Sequence, residues 1–180
     1  MSDRISIVEN NDELNITIKA LKEDKKQQLL LVWIVLFSIC GILIFSQFFG
    51  NYDKSSKIFF AIYIAFWLFF EFKVIYAYRW RKTGSEKIIF TKEELILIKE
   101  IGKRGITQKY SLRDVKDLDF FKSQENAFFK SINTSYWNIN NYSLSFSSNN
   151  LLVPFAIDLD ANQSKKILKK MQVFIQGKSN

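Results

Sequence analysis

Four cations crowd a short stretch of the chain, with Lys99, Lys103, Arg104 and Lys109 set around Gly102 and Gly105. Lysine and arginine at a glycine-rich turn attract anionic groups, because each head supplies several charge-assisted donors at once. The glycines bracket two residues and lack both the GKS/GKT ending of a phosphate-cradling loop and the dinucleotide spacing. What the group offers is therefore surface attraction, with lipid headgroups as the candidate ligand. The ordinary use of such a tip is a solvated turn, and cationic tips also protect strand edges from wrong pairing. A second polar set, Glu71, Lys73 and Ser38, lies inside very apolar sequence. An acid within a membrane span costs a few kcal/mol unless it is paired, protonated or hydrated. Antiparallel packing of the two apolar stretches brings Ser38 to the level of Glu71, while Lys73, two residues on, points to another face and snorkels.

Catalysis would have to rest on few residue types. The chain has no His and one Cys, Cys40, which removes His-based nucleophile systems, His-ligated zinc and intramolecular disulfides. The ordinary reading of Cys40 is a small packing residue in a helix. Asp114, Asp117, Asp119, Asp158 and Asp160 remain, and paired carboxylates do acid–base work or hold hard metal ions. Asp114 and Asp117, however, sit where turns and strand entries use Asp, and Asp158 and Asp160 where helix starts do. No catalytic residue, metal site or cofactor is expected.

The elements that position these groups are of two kinds. Leu29 to Phe49 contains no charged residue, and Ile58 to Tyr78 contains only Glu71 and Lys73. Ten of the eighteen Phe lie between Phe37 and Phe72, so the apolar content is concentrated where a bilayer would take it. At 1.5 Å per residue each block spans ~31 Å, the thickness of a hydrocarbon core. Transmembrane helices are expected over residues 29–49 and 58–78, joined by an external loop at 50–57. Lys19, Lys22, Lys25 and Lys26 precede the first block, and Arg79, Arg81, Lys82 and Lys87 follow the second, against Lys54 and Lys57 in the loop. This bias predicts both termini in the cytoplasm and the chain in the inner membrane.

The remaining sequence reads as strands. In residues 1–28, Ile5 and Ile7, then Leu14, Ile16 and Ile18, alternate with polar residues in a hairpin pattern. Two strands alone are marginal, so they are expected to join a domain at residues 84–180, where KIIF, LILIKEI, ITQKYSL, DVKDLDFF, YSLSFSS and LLVPFAI follow in turn. Tyr142, Leu144 and Phe146 alternate with Ser143, Ser145 and Ser147, which predicts a strand with one wet face. The stretch 122–141, with Phe128, Phe129, Tyr136 and Trp137, reads as a loop. A terminal helix is signalled by Asp160 with Gln163 three residues on, an apolar stripe of Ile167, Met171 and Phe174, and Gly177 beyond. The fold class is α+β with a transmembrane helical hairpin and a bent antiparallel sheet, or partly open barrel, of about seven strands under the helix.

Two segments, TKEELILIKEIGKRGITQKYSLRDVKDLDF and LLVPFAIDLDANQSKKILKKM, together with the inserted apolar hairpin, resemble the bacterial PH-like membrane proteins, including the YcxB-like group. The resemblance covers about half the chain and implies a PH-like fold anchored in the membrane rather than an activity. Eukaryotic PH domains grip phosphoinositide headgroups with basic residues near an early strand loop, which is the role that Lys99, Lys103, Arg104 and Lys109 would have by analogy. The net charge of +8 suits apposition to an anionic leaflet, where each nearby cation contributes ~1 kcal/mol. Nucleic acid is not expected, because no RNA-binding signature or helix-turn-helix accompanies the charge. The reading is a non-catalytic, membrane-anchored interaction module whose partner is a protein or a second copy. The alternative is an anionic-lipid-binding module centred on the basic turn, with a carboxylate-based enzyme behind both.

Overall fold

The computed structural model describes residues 4–122 and 136–177, in two compact units: residues 1–21 with 82–180, and residues 22–81. Within the first unit, two antiparallel sheets account for eight strands among the described residues, rather than about seven in one sheet. The larger sheet runs β1 (Ile5–Glu9), β2 (Leu14–Lys19), β3 (Gly84–Phe90), β4 (Glu94–Ile101), β5 (Arg104–Ser111) in that spatial order. After a 3-10 turn at Leu112–Asp114, the smaller sheet runs β6 (Lys116–Phe120), β7 (Tyr142–Ser148), β8 (Leu151–Ile157).

Period-two alternation builds the core. β2 turns Leu14, Ile16 and Ile18 inward, paired in register with Phe90, Ile88 and Glu86 of β3, and β4 adds Leu95 and Leu97. From the smaller sheet come Leu144, Phe146 and Phe155, and the terminal helix α3 (Ala161–Gln176) closes the core with Ile167, Leu168, Met171 and Phe174. The Phe174 ring meets Phe90 edge-on at 6.2 Å. Each such side chain contributes about 1.5–3 kcal/mol through burial, which is why the helix packs on its stripe while its lysines stay outside. At the start of α3, Asp160 accepts the Gln163 amide at 2.7 Å and the Gln163 side chain returns to the Asp160 amide. Asp160→Ala is expected to cost about 1 kcal/mol, read as a lower thermal midpoint of the whole chain in detergent.

Two turns fix the hairpins. Gly102 has φ +64 at the first position of the two-residue β4–β5 loop, the position that a II′ turn reserves for glycine. In the β7–β8 loop, Asn149 and Asn150 both have positive φ, 50 and 62, as a I′ turn requires. Asn tolerates this region less well than Gly, so Asn150→Gly is expected to stabilise by about 0.5–1 kcal/mol and Asn150→Val to destabilise by at least as much. Thermal unfolding of the two variants beside the parent checks the sign.

The expected wet face of β7 is seen only in part: Ser143 and Ser147 are half-buried and Ser145 is buried. β7 is the central strand, and Ser145 lies in register between Asp119 of β6 and Pro154 of β8, whose larger side chains shade it. The Ser143 hydroxyl instead exchanges hydrogen bonds with the Leu159 backbone at 3.2 Å. Phe128 and Phe129 of the aromatic loop lie outside the described residues, while Tyr136 and Trp137 stand in a turn.

The second unit holds α1 (Asp24–Gln47) and all but the last two residues of α2 (Lys54–Thr83), both helices being long and apolar enough to cross a membrane. α1 starts five residues before the expected block and ends two short of it, α2 starts four residues early and ends five late, and the connection shortens from residues 50–57 to residues 48–53. The cause is local capping: the Asp53 carboxylate accepts the Ser55 and Ser56 amides at 3.0 and 3.3 Å and the Ser56 hydroxyl. The Ser56 hydrogen bonds hold that carboxyl below its ordinary range. Leu29, Ile42, Phe59, Phe66 and Phe72 are all exposed, so these helices present apolar surface outward instead of burying it. Cys40, expected as a packing residue, is exposed on α1.

Candidate functional site

The basic turn does not assemble as one cluster. Lys103 stands at the second loop position and Arg104 opens β5, both exposed. Lys99 shares the inward face of β4 with Leu95 and Leu97, pairs in register with Glu86, and rests its ammonium 5.5 Å from the Tyr142 ring centre. Burial pushes the Lys99 amine below its ordinary range, opposed by the charges of Glu86 and Asp158. Lys109 lies five residues along β5 from Arg104, ~16 Å at strand rise, with its ammonium 3.4 Å from Glu94. Only Lys103 and Arg104 remain together at the tip, because strand alternation and length separate the other two.

Sequence reasoning missed the polar centre to which Lys99 belongs. Glu86 is 5% exposed, and its two carboxylate oxygens accept the amides of Ala156 and Ile157 at 3.1 and 2.9 Å. Burial raises the Glu86 carboxyl above its ordinary value, while the two amides and the Lys99 charge pull it back. Arg4 clasps the same segment from the other side, donating to the carbonyls of Asp158 at 3.0 Å, Ile157 at 3.3 Å and Lys19 at 2.8 Å. Ala156 and Asp158 have φ +62 and +55, a strained course for non-glycine residues that these polar contacts hold. A signal was present: carrying the alternation of Phe90 and Ile88 two residues back puts Glu86 on the core face.

In the helical unit, Ser38 donates to Glu71 at 2.6 Å. Glu71 is 6% exposed, and its second carboxylate oxygen is buried without a hydrogen-bond partner. Lys73 is apart from both, its ammonium 5.0 Å from the Phe69 ring centre. The same interface carries two further bonds, Trp67 to the Phe37 carbonyl at 3.0 Å and Gln27 to the Tyr78 carbonyl at 3.1 Å.

The remaining acids have local roles. Asp119 accepts the Phe120 amide at 2.8 Å and Asp158 accepts the Asn141 side chain at 3.2 Å. Asp114 and Asp117 border an open groove with Lys116, Ser147, Asn149 and Asn150. Among the described residues no three Asp, Glu or Cys side chains are grouped to hold a metal ion. No family model matches the chain, and no curated protein matches it.

Proposed function

We propose that this chain is a membrane-anchored, non-catalytic interaction module: a helical hairpin in the inner membrane carrying a PH-like domain, assembled from both chain ends, at the cytoplasmic face. The observation that carries the reading is the pairing of β2, ahead of the apolar helices, with β3 behind them over six register positions. An insertion of hydrocarbon-length helices into one sheet ties that sheet to the bilayer at both of its entry points. Antiparallel sheets under a terminal amphipathic helix support the PH-like assignment. The buried acid of the β unit, Glu86, is engaged by the Ala156 and Ile157 amides, a structural use that supports the non-catalytic reading. The partner is a protein or a second copy. Extraction in mild detergent followed by native mass measurement is expected to give a heteromer or homomer. A lone monomer in every detergent would overturn the module reading, and protease cleavage of either terminus from outside intact cells would overturn the topology.

The exposed Lys103–Arg104 pair favours one second reading, attachment to anionic lipid. In nanodiscs, Lys103→Glu with Arg104→Glu would then abolish any protection of the tip amides that depends on phosphatidylglycerol. Tip exchange indifferent to lipid charge would remove this reading.

A further inference from the structure

We propose that the outer edge of β5 takes up an extended acidic segment of a partner protein as an added strand. This inference rests on the interaction-module reading and names its partner chemistry. β5 pairs over all eight residues with β4 and ends the larger sheet. The two-residue loop makes Ile101 and Arg104 a hydrogen-bonded pair. Alternation from that pair turns the amides and carbonyls of Gly105, Thr107, Lys109 and Ser111 away from β4. All four residues are exposed, and no described residue pairs with these backbone groups.

The other sheet edges carry the usual protections against strand addition. β1 has five residues, and its Glu9 is ion-paired to Lys170 of α3. β6 has a register irregularity with φ +50 at Asp117. β8 contains Pro154, and its Ala156 and Ile157 amides are taken by Glu86. β5 has no proline, register shift or cover among the described residues, its one protection being its cations, which do not repel an acidic strand, and it exposes Ile106 at 71%.

Charge selects the occupant. From Ile101 to Arg113 there are four cations, Lys103, Arg104, Lys109 and Arg113, and no acid. A second β5 would bring like charges together, which is unfavourable across strands, whereas an acidic strand is attracted and gains backbone hydrogen bonds.

The test uses the full chain in phosphatidylcholine nanodiscs and a peptide of about ten alternating Glu and Val residues, with a Lys-Val peptide as control. The acidic peptide is expected to slow exchange of the Gly105, Thr107, Lys109 and Ser111 amides by about tenfold or more, and the basic one to leave them unchanged. Thr107→Pro removes only an outward N–H, so it is expected to keep the fold and abolish the effect. Lys103→Glu with Arg104→Glu leaves two cations against two acids along this edge and is expected to remove most of the preference for the acidic peptide. Unslowed amides with the acidic peptide would overturn the proposal. So would protection already complete without peptide, protection rising with protein concentration alone, protection that needs phosphatidylglycerol, or protection that survives Thr107→Pro. A native complex with a cellular protein that persists in Thr107→Pro would leave the module reading standing and remove this edge from it.

Discussion

Replacing Glu86 with Leu is expected to destabilise the β unit by about 3–5 kcal/mol, enough to take a domain of ordinary stability to the margin of folding. The change leaves the Ala156 and Ile157 amides, bonded at 3.1 and 2.9 Å, without an acceptor in a dry site. It also removes the charge facing the half-buried Lys99. Those amides lie in the stretch where Ala156 and Asp158 hold positive φ, so the lost bonds had been opposing backbone strain. Glu86→Gln keeps one acceptor and the side-chain volume, and is expected to cost about 1–2 kcal/mol. Chemical unfolding of the full chain in detergent, followed by near-UV circular dichroism, orders the three proteins. Equal midpoints for the parent and the Leu variant would refute the role assigned to Glu86.

The same pair of variants reads out a pH dependence of definite sign. Burial raises the Glu86 carboxyl in the folded chain above its ordinary 4.5. Its contribution to stability is thus fully present below that ordinary value and is lost as pH rises through the folded one. Glu100, held low chiefly by the Lys87 hydrogen bond, works in the opposite direction, losing stability as pH falls. Lys99 varies on the alkaline side, where its depressed amine gives stability that is full above 10.5 and falls with pH. The Glu86 term is isolated by difference: the gap between parent and Glu86→Gln is expected to narrow as pH rises from about 4.5 toward neutrality. A gap that widens over that interval would show the wrong sign.

What could be read in the sequence follows from how local each signal is. The apolar runs, the Leu14–Ile16–Ile18 and Leu144–Phe146 alternations and the Asp160/Gln163 box are decided within one element, and each is seen as helix, strand or cap. The four-cation turn failed as a cluster because proximity in sequence is not proximity on a sheet: Lys99 lies on the core face, and Lys109 lies down the strand. Glu86 escaped notice because its acceptor role depends on amides seventy residues away, and no local pattern encodes that pairing. Ser38 and Glu71 were within reach of sequence because two antiparallel helices of known rise leave little choice of level.

In the helical unit the largest expected effect is at Gly41. A methyl group built on Gly41 would fall inside the Trp67 indole, so any side chain there must separate the helices or displace the ring. Helices in lipid associate through close packing at small residues, with little hydrophobic drive to compensate for a lost fit. Gly41→Leu is expected to break the Trp67 bond to the Phe37 carbonyl and the neighbouring Ser38 bond to Glu71, which lie at the same interface. Overpacking and the two bonds together amount to about 2–5 kcal/mol of lost helix association. The variant's Trp67 indole N–H resonance is expected to shift and exchange rapidly in detergent, with faster amide exchange in α1 around Phe37. Trp67→Ala in the same chain opens space for the new side chain, so the double variant is expected to recover α1 amide protection that neither single change keeps. If Gly41→Leu leaves the Trp67 resonance and the α1 amides as they are in the parent, the helices do not meet at this glycine.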